Sequence, residues 1–183
     1  MVEEVMMLSI DQVSTLQQRV AAIELFREYL NWNKDELFRH YGIEWDLHAT
    51  LEHDRETIEQ FMRPTGRLLL ASVKGQPVGV LSMKVHADGT AELKRMYVRP
   101  SWRRNGIGEA LVARIIDEAR RDGRHLIRLD SAGYMHEAHR MYRRLGFHDT
   151  EPYAESEIPE ELREHWVFMA LSMETNGDDE NAR

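Results

Sequence analysis

Apolar residues change their spacing several times along the chain, and each change marks an element. Val5 to Ile10 reads as a short first strand. Beyond it Leu16, Val20, Ile23, Phe26 and Leu30 recur at helical spacing, with Asp11 or Ser9 placed to cap the helix. A second helical stretch, Lys34 to Tyr41, leads into an acidic, His-containing connection through Asp46 and Glu52. Residues 55–62 are expected to be helical and to stop before the turn signal Pro64-Thr65-Gly66.

Three strand-like runs follow. Arg67–Val73 and Pro77–Val85 flank the short turn Lys74-Gly75-Gln76, and Thr90–Val98 follows Ala87-Asp88-Gly89. Asn105–Arg121 carries Ile107, Leu111, Ile115 and Ala119 on one helical face and stops at Asp122-Gly123. Leu126–Asp130 reads as a strand. Met135, Ala138, Tyr142 and Leu145 stripe a further helix ended by Gly146, and strands begin at Phe147 and span Trp166–Met173. Helices, an antiparallel meander, then β-α-β-α-β-β predict an α+β fold with a mixed sheet covered by helices. One domain over 1–174 with an acidic tail at 175–183 fits a chain of 183 residues.

The chain has no cysteine, which excludes a disulfide framework, thiolate metal sites and a thiolate nucleophile. Its longest apolar runs fall far short of the ~20 residues of a membrane helix. Met1-Val2-Glu3-Glu4 has acids where a signal peptide carries Lys or Arg, so a cytoplasmic location is expected. The formal charge is −8, but residues 94–144 hold 13 Lys and Arg against six acids. An acidic chain with one basic segment disfavours a nucleic-acid binder and suits a compact anionic ligand.

That ligand has a candidate seat. Lys94 through Gly108 reads as a strand end (Met96, Tyr97, Val98), then the turn Arg103-Arg104-Asn105-Gly106-Ile107-Gly108, then a helix start with Glu109. The glycines permit close backbone approach, and the free N–H groups favour an anion such as a pyrophosphate. A dinucleotide fingerprint would need Gly at 111, where Leu111 stands, and the Gly-Lys-Ser/Thr of a P-loop is absent.

Arg-x-x-Gly-x-Gly after Val-x-Pro resembles the acetyl-CoA signature of the GNAT superfamily of N-acetyltransferases. Ala138 to Phe147 is similar to that family's A-x-x-x-Y-x-x-x-G-F motif, and the element order matches as well. The resemblance covers residues 66–173 and implies a mostly antiparallel sheet of about six to seven strands, splayed between the fourth (92–98) and fifth (126–130). It implies acetyl-CoA as cosubstrate, with the pantetheine arm on the backbone of Met96 and Val98 and the pyrophosphate on Arg103 to Gly108. Tyr142 matches the tyrosine near the thioester sulfur, and Glu92 stands where some members carry the general base. The implied reaction is direct transfer to a primary amine, on a small molecule or a peptide; a non-catalytic acyl-CoA-binding module is the alternative. Homodimers are common in the family. One departure is Met135, where many members have an Asn that contacts the cofactor arm.

Bland readings compete. Tyr142 lies on an apolar stripe and fits a core position; Glu92 and Lys94 alternate on one strand face and fit a surface ion pair. His136-Glu137-x-His139 has the wrong spacing for a metalloprotease helix, and no metal site is expected. Trp32, Tyr41, Trp45 and Tyr153 are candidates for lining the acceptor site or for core packing. The acidic loop 151–160 is placed to overhang the acetyl end and to attract a cationic amine.

Overall fold

Residues 7–173 are described in the computed structural model, so the tail and Val5 and Met6 of the expected first strand lie outside the described residues. The strands are β1 (Leu8–Gln12), β2 (Arg67–Val73), β3 (Gln76–Val85), β4 (Ala91–Val98), β5 (Leu126–Ala132), β6 (His148–Thr150) and β7 (Trp166–Ser172). They form one sheet in the order β1-β2-β3-β4-β5-β7-β6, antiparallel throughout except for β4 beside β5. The helices are α1 (Leu16–Tyr41), α2 (Leu47–Glu56), α3 (Ile107–Arg121) and α4 (His136–Arg144). This is the expected mixed sheet flanked by helices.

Strand alternation splits the core in two. Leu69, Ala71, Leu81 and Met83 meet the Ile107, Leu111 and Ile115 stripe of α3 on one face. Leu68, Leu70 and Val80 meet Ala22, Leu25 and Phe26 of α1 on the other. Both faces of the central strands are therefore dry, which explains their near-continuous apolar runs.

The first 65 residues depart most from expectation. One 26-residue helix replaces two, and its cap is Thr15, which exchanges hydrogen bonds with Gln18 in a capping box; Ser9 and Asp11 belong to β1. The buried stripe is Ala22, Leu25, Phe26, Leu30, Asn33 and Leu37, while Leu16 and Val20 are 77% and 61% exposed. The expected connection through Asp46 and Glu52 is helix α2, capped by Asp46, which accepts from the Ala49 N–H at 2.9 Å. Leu47 and Leu51 are its only large apolar residues, too few to show a stripe. Residues 55–62 divide between the end of α2 and a 3-10 turn at Ile58–Phe61.

A bulge in β4 shapes the centre of the sheet. Tyr97 pairs with Val80 and Lys94 with Ser82, so Arg95 and Met96 together face Leu81. Arg95 sits at φ 55, and its guanidinium holds buried Asp54 of α2 with Nε and Nη2 at 2.7 and 2.8 Å. β4 and β5 pair only at Ala91↔Ile127 and Glu92↔Arg128 and then part, the splay expected from the resemblance.

Candidate active site

The open edge of β4 is the first component. The Arg99 N–H donates to Val78 O at 2.9 Å, so alternation turns the backbone of Met96 and Val98 away from β3 and into the gap. Val98 O already accepts from Arg103 Nε at 2.9 Å. The Arg103 guanidinium also lies 5.0 Å from the centre of the Trp32 ring and 5.7 Å from that of Tyr97. It thus braces the turn, while Arg104 projects into solvent.

The turn itself is the second component. Arg104 and Gly106 take φ 63 and 75, which swing the chain into α3. Asn105 Nδ2 donates to Trp102 O and Arg103 O, both at 3.2 Å, and holds the bend. The Ala110 N–H makes the first helical bond, to Gly106 O, so the helix leaves the N–H groups of Ile107, Gly108 and Glu109 without intrahelical acceptors. A Cβ on Gly108 would sit 3.4 Å from Met141 Sδ and 3.8 Å from both Met96 and Val98, so the helix start lies close against the strand end. The Glu109 carboxylate pairs with Arg144 at 3.0 Å.

Where β4 and β5 part, a narrow cavity of about 60 Å³ is walled by Met96, Asp130, Ser131, Met135, Tyr142 and Tyr29, among others. Tyr142 is 5% exposed, and its ring meets Phe147 edge-on at 5.6 Å. Its hydroxyl has no hydrogen-bond partner among the described residues. Burial, reinforced by Tyr29 and Asp130, pushes the phenol well above its usual range. It is therefore both a packed tyrosine and a protonated donor on the cavity wall. Ser131, beside it, contacts Met135 Sδ at 3.4 Å and His139 Nε2 at 3.0 Å, so His139 turns inward to a hydroxyl.

Glu92 is elsewhere. It is fully buried behind the cavity wall, with Lys94 at 2.8 Å, His86 at 2.8 Å, Lys84 at 3.3 Å and the Tyr153 hydroxyl at 3.0 Å. Burial alone would raise its pKa, but Lys94, Lys84 and the His86 contact outweigh that and hold it below the ordinary carboxylate value. The surface ion pair expected for Glu92 and Lys94 exists, but in the interior. The cover is the loop 151–158: Tyr153 bridges Glu92 and Asp130, Ser156 donates to Asp130 at 3.2 Å, and Glu157 pairs with Lys84 at 2.8 Å. The loop closes over Glu92 and Asp130 and supplies no wall of the cavity, and its Glu157 is spent on Lys84 and Lys94.

Of the four candidate aromatics, none walls the cavity. Trp32 lies against Tyr134, Tyr41 stacks on His165 at 4.4 Å, and Trp45 borders a separate open groove with Lys34 and Phe38. Tyr29, which sequence reasoning passed over, does wall it; as one aromatic on a long helix it carried no separate signal. The basic segment is likewise no open face. Arg95, Arg99, Arg128 and Arg143 pair with Asp54, Glu28, Glu155 and Asp149.

This geometry has counterparts. Residues 20–147 match the family model described as Acetyltransferase (GNAT) family. An IAA acetyltransferase of Azospirillum brasilense is 32% identical over 120 residues, 65% of this chain and 76% of that protein. An uncharacterised N-acetyltransferase of Schizosaccharomyces pombe is 31% identical over 143 residues, 75% of this chain and 85% of its own length. Among solved structures, the PaiA N-acetyltransferase of Thermoplasma acidophilum, in complex with coenzyme A, has a TM-score of 0.69 at 18% identity and covers 92% of this chain and 100% of that one. This likeness is one of fold. With the family model spanning well over half of its length, the chain belongs to the GNAT acetyltransferase family.

Proposed function

We propose that this chain moves the acetyl group of acetyl-CoA onto a primary amine by direct attack within a ternary complex. The observation that carries the reading is one continuous feature. The unpaired edge of β4 runs from the cavity holding Tyr142 to the open N-terminus of α3.

Each part has a task that its chemistry supports. The Met96 backbone and the Val98 N–H can hold the amides of an extended pantetheine arm as an added strand would. Val98 O is less available, because Arg103 uses it. The N–H groups of Ile107, Gly108 and Glu109 suit a pyrophosphate, with Arg104 free to approach it. Met135 replaces a polar contact with a thioether, so the cofactor arm loses one hydrogen bond there and keeps an apolar wall.

The amine nitrogen bonds to the thioester carbon, the C–S bond breaks, and a thiolate departs. Tyr142 faces that sulfur as a hydrogen-bond donor. A thiol titrates near ~8.5 and an ordinary phenol near ~10. With Tyr142 raised further, its proton stays largely on oxygen while the bond stabilises the developing negative charge. Glu92 contributes as a proton acceptor behind the wall, reached through the groups in front of it.

Melting with acetyl-CoA, against NAD and ATP as controls, tests the cofactor. Ligand at about 100 times its Kd adds roughly 2.7 kcal/mol, a shift of several degrees at this size. Free-thiol release with a panel of amines then tests transfer. No shift at millimolar acetyl-CoA rules the reading out; a shift without turnover favours the binding-module alternative.

A further inference from the structure

Between the cavity and the surface runs a chain of polar groups of which Glu92 is one member. Asp130 lies on the cavity wall, with its Oδ2 3.3 Å from the Tyr153 hydroxyl. The same hydroxyl is 3.0 Å from Glu92 Oε1, and Glu92 Oε2 is 2.8 Å from His86 Nε2. Tyr153 and Glu92 are buried, whereas His86, just beyond the end of β3, reaches partly into solvent. Three contacts thus link the cavity to water through otherwise dry protein.

The placement of the Tyr153 hydroxyl is the informative point. Its ring is already held edge-on by Phe168 at 5.8 Å and covered by the Arg128 guanidinium at 5.3 Å. Packing therefore does not require the oxygen, yet the oxygen sits between two carboxylates with one proton to offer. Lys94 contacts the same two oxygens as the hydroxyl, Glu92 Oε1 at 2.8 Å and Asp130 Oδ2 at 3.4 Å, and offsets the charge of both carboxylates.

We propose that Asp130 accepts the proton released by the acceptor amine, and that Tyr153 and Glu92 pass it to His86 and so to solvent. The inference rests on the acetyl-transfer reading and adds the acid that meets the acceptor. An N–H bond of the ammonium breaks as an Asp130 O–H forms. Asp130 then donates to the Tyr153 oxygen while Tyr153 gives its own proton to Glu92. That proton sits on Glu92 Oε1, so the carboxyl turns to present it to His86 Nε2; the imidazole releases its Nδ1 proton to water, and exchange with solvent restores the starting tautomer. No group gains or loses a net proton over the cycle. Asp130 is the catalytic residue in this scheme; Tyr153, Glu92 and His86 act through it.

The test is acetyl-CoA turnover by the whole chain, followed by free-thiol release. The acceptors are L-aspartate, 2-phenylethylamine, spermidine and a peptide with a free N-terminal alanine. With the best of these, Tyr153→Phe keeps the ring contacts and is expected to lower kcat by about a hundredfold, within the range for assisted proton transfer. The acceptor KM and the melting shift with acetyl-CoA should stay as in the unmodified chain. His86→Ala should lower kcat as well and recover with added imidazole, a response that a structural role does not give. An unchanged kcat in Tyr153→Phe overturns the relay while leaving acetyl transfer standing. If Tyr153→Phe fails to fold, His86→Ala decides: no fall, or a fall that imidazole does not restore, overturns the relay. No turnover of any amine by the unmodified chain removes the transfer reading and the relay with it.

Discussion

On the α3 side of the sheet, the gap between β4 and β5 is bordered by backbone groups, glycine and methionine. On the α1 side it is bordered by buried charge. The first border needs little from side chains: the Met96 backbone, three free N–H groups and the closeness of Gly108 to Met141. The second is a network in which Lys94 alone meets Glu92, Asp130 and Glu157. A surface made of backbone tolerates most substitutions that keep its path. A network of buried charges does not, because each deletion leaves a partner unpaired in a dry interior.

The sharpest test of that contrast is Lys94→Met. It removes the shared cation from three carboxylates, and removing one member of a buried ion pair costs about 3–5 kcal/mol. The urea midpoint should fall accordingly, whereas exposed Arg104→Ala should change stability by no more than about 0.5 kcal/mol. Equal effects for the two would mean that the α1 side is not held by charge.

Tyr142→Phe comes next. The phenol makes no hydrogen bond within the described residues, so its loss should leave melting unchanged and acetyl-CoA affinity intact. Turnover should fall about a hundredfold, the effect of removing one donor to developing negative charge. Unaltered turnover would return Tyr142 to a purely packing role.

Gly108 carries a smaller effect on the other border. Alanine would meet Met141 Sδ at 3.4 Å, an ordinary contact, and should be tolerated. The γ-carbons of Gly108→Val add bulk where Met141, Met96 and Val98 already lie 3.4–3.8 Å from the Cβ, so the helix start and its free N–H groups must shift away from the strand end. Acetyl-CoA affinity, measured by calorimetry, should weaken about tenfold, or roughly 1.4 kcal/mol. If valine binds as glycine does, the pyrophosphate seat lies elsewhere.

The same two borders differ in how far the sequence disclosed them. The turn from Arg103 to Gly108 and the stripe Ile107, Leu111, Ile115 and Ala119 are local, since spacing along the chain fixes what they face. The splay followed from the family resemblance, but its bulge was hidden because Arg95, not glycine, takes φ 55, supported by Asp54 from a helix with no apolar stripe. Glu92-x-Lys94 resembles an outward strand face until a loop some sixty residues later closes over it. Likewise nothing near Ser131 announces His139, and nothing near Asp130 announces Tyr153. Charge networks assembled from distant segments leave no period to read.

The loop that closes this network gives the finest test, through pH. Burial would raise the Glu157 carboxyl, but Lys94, Lys84 and Arg95 outweigh it and hold it at about 2, against 4.5 for a free glutamate. A carboxyl depressed in the folded state stabilises fully above its unfolded pKa and loses that contribution as pH falls toward the folded one. The window is therefore from pH 4.5 down to about 2. Glu92 and Glu118 are also depressed, so the chain as a whole loses stability on acidification, and the difference from Glu157→Gln isolates one group. The variant should melt lower at neutral pH and its curve should converge on that of the unmodified chain through this window. Curves that stay parallel would mean that the loop is held by Tyr153 and Ser156 alone, and that its acid is not part of the charged border.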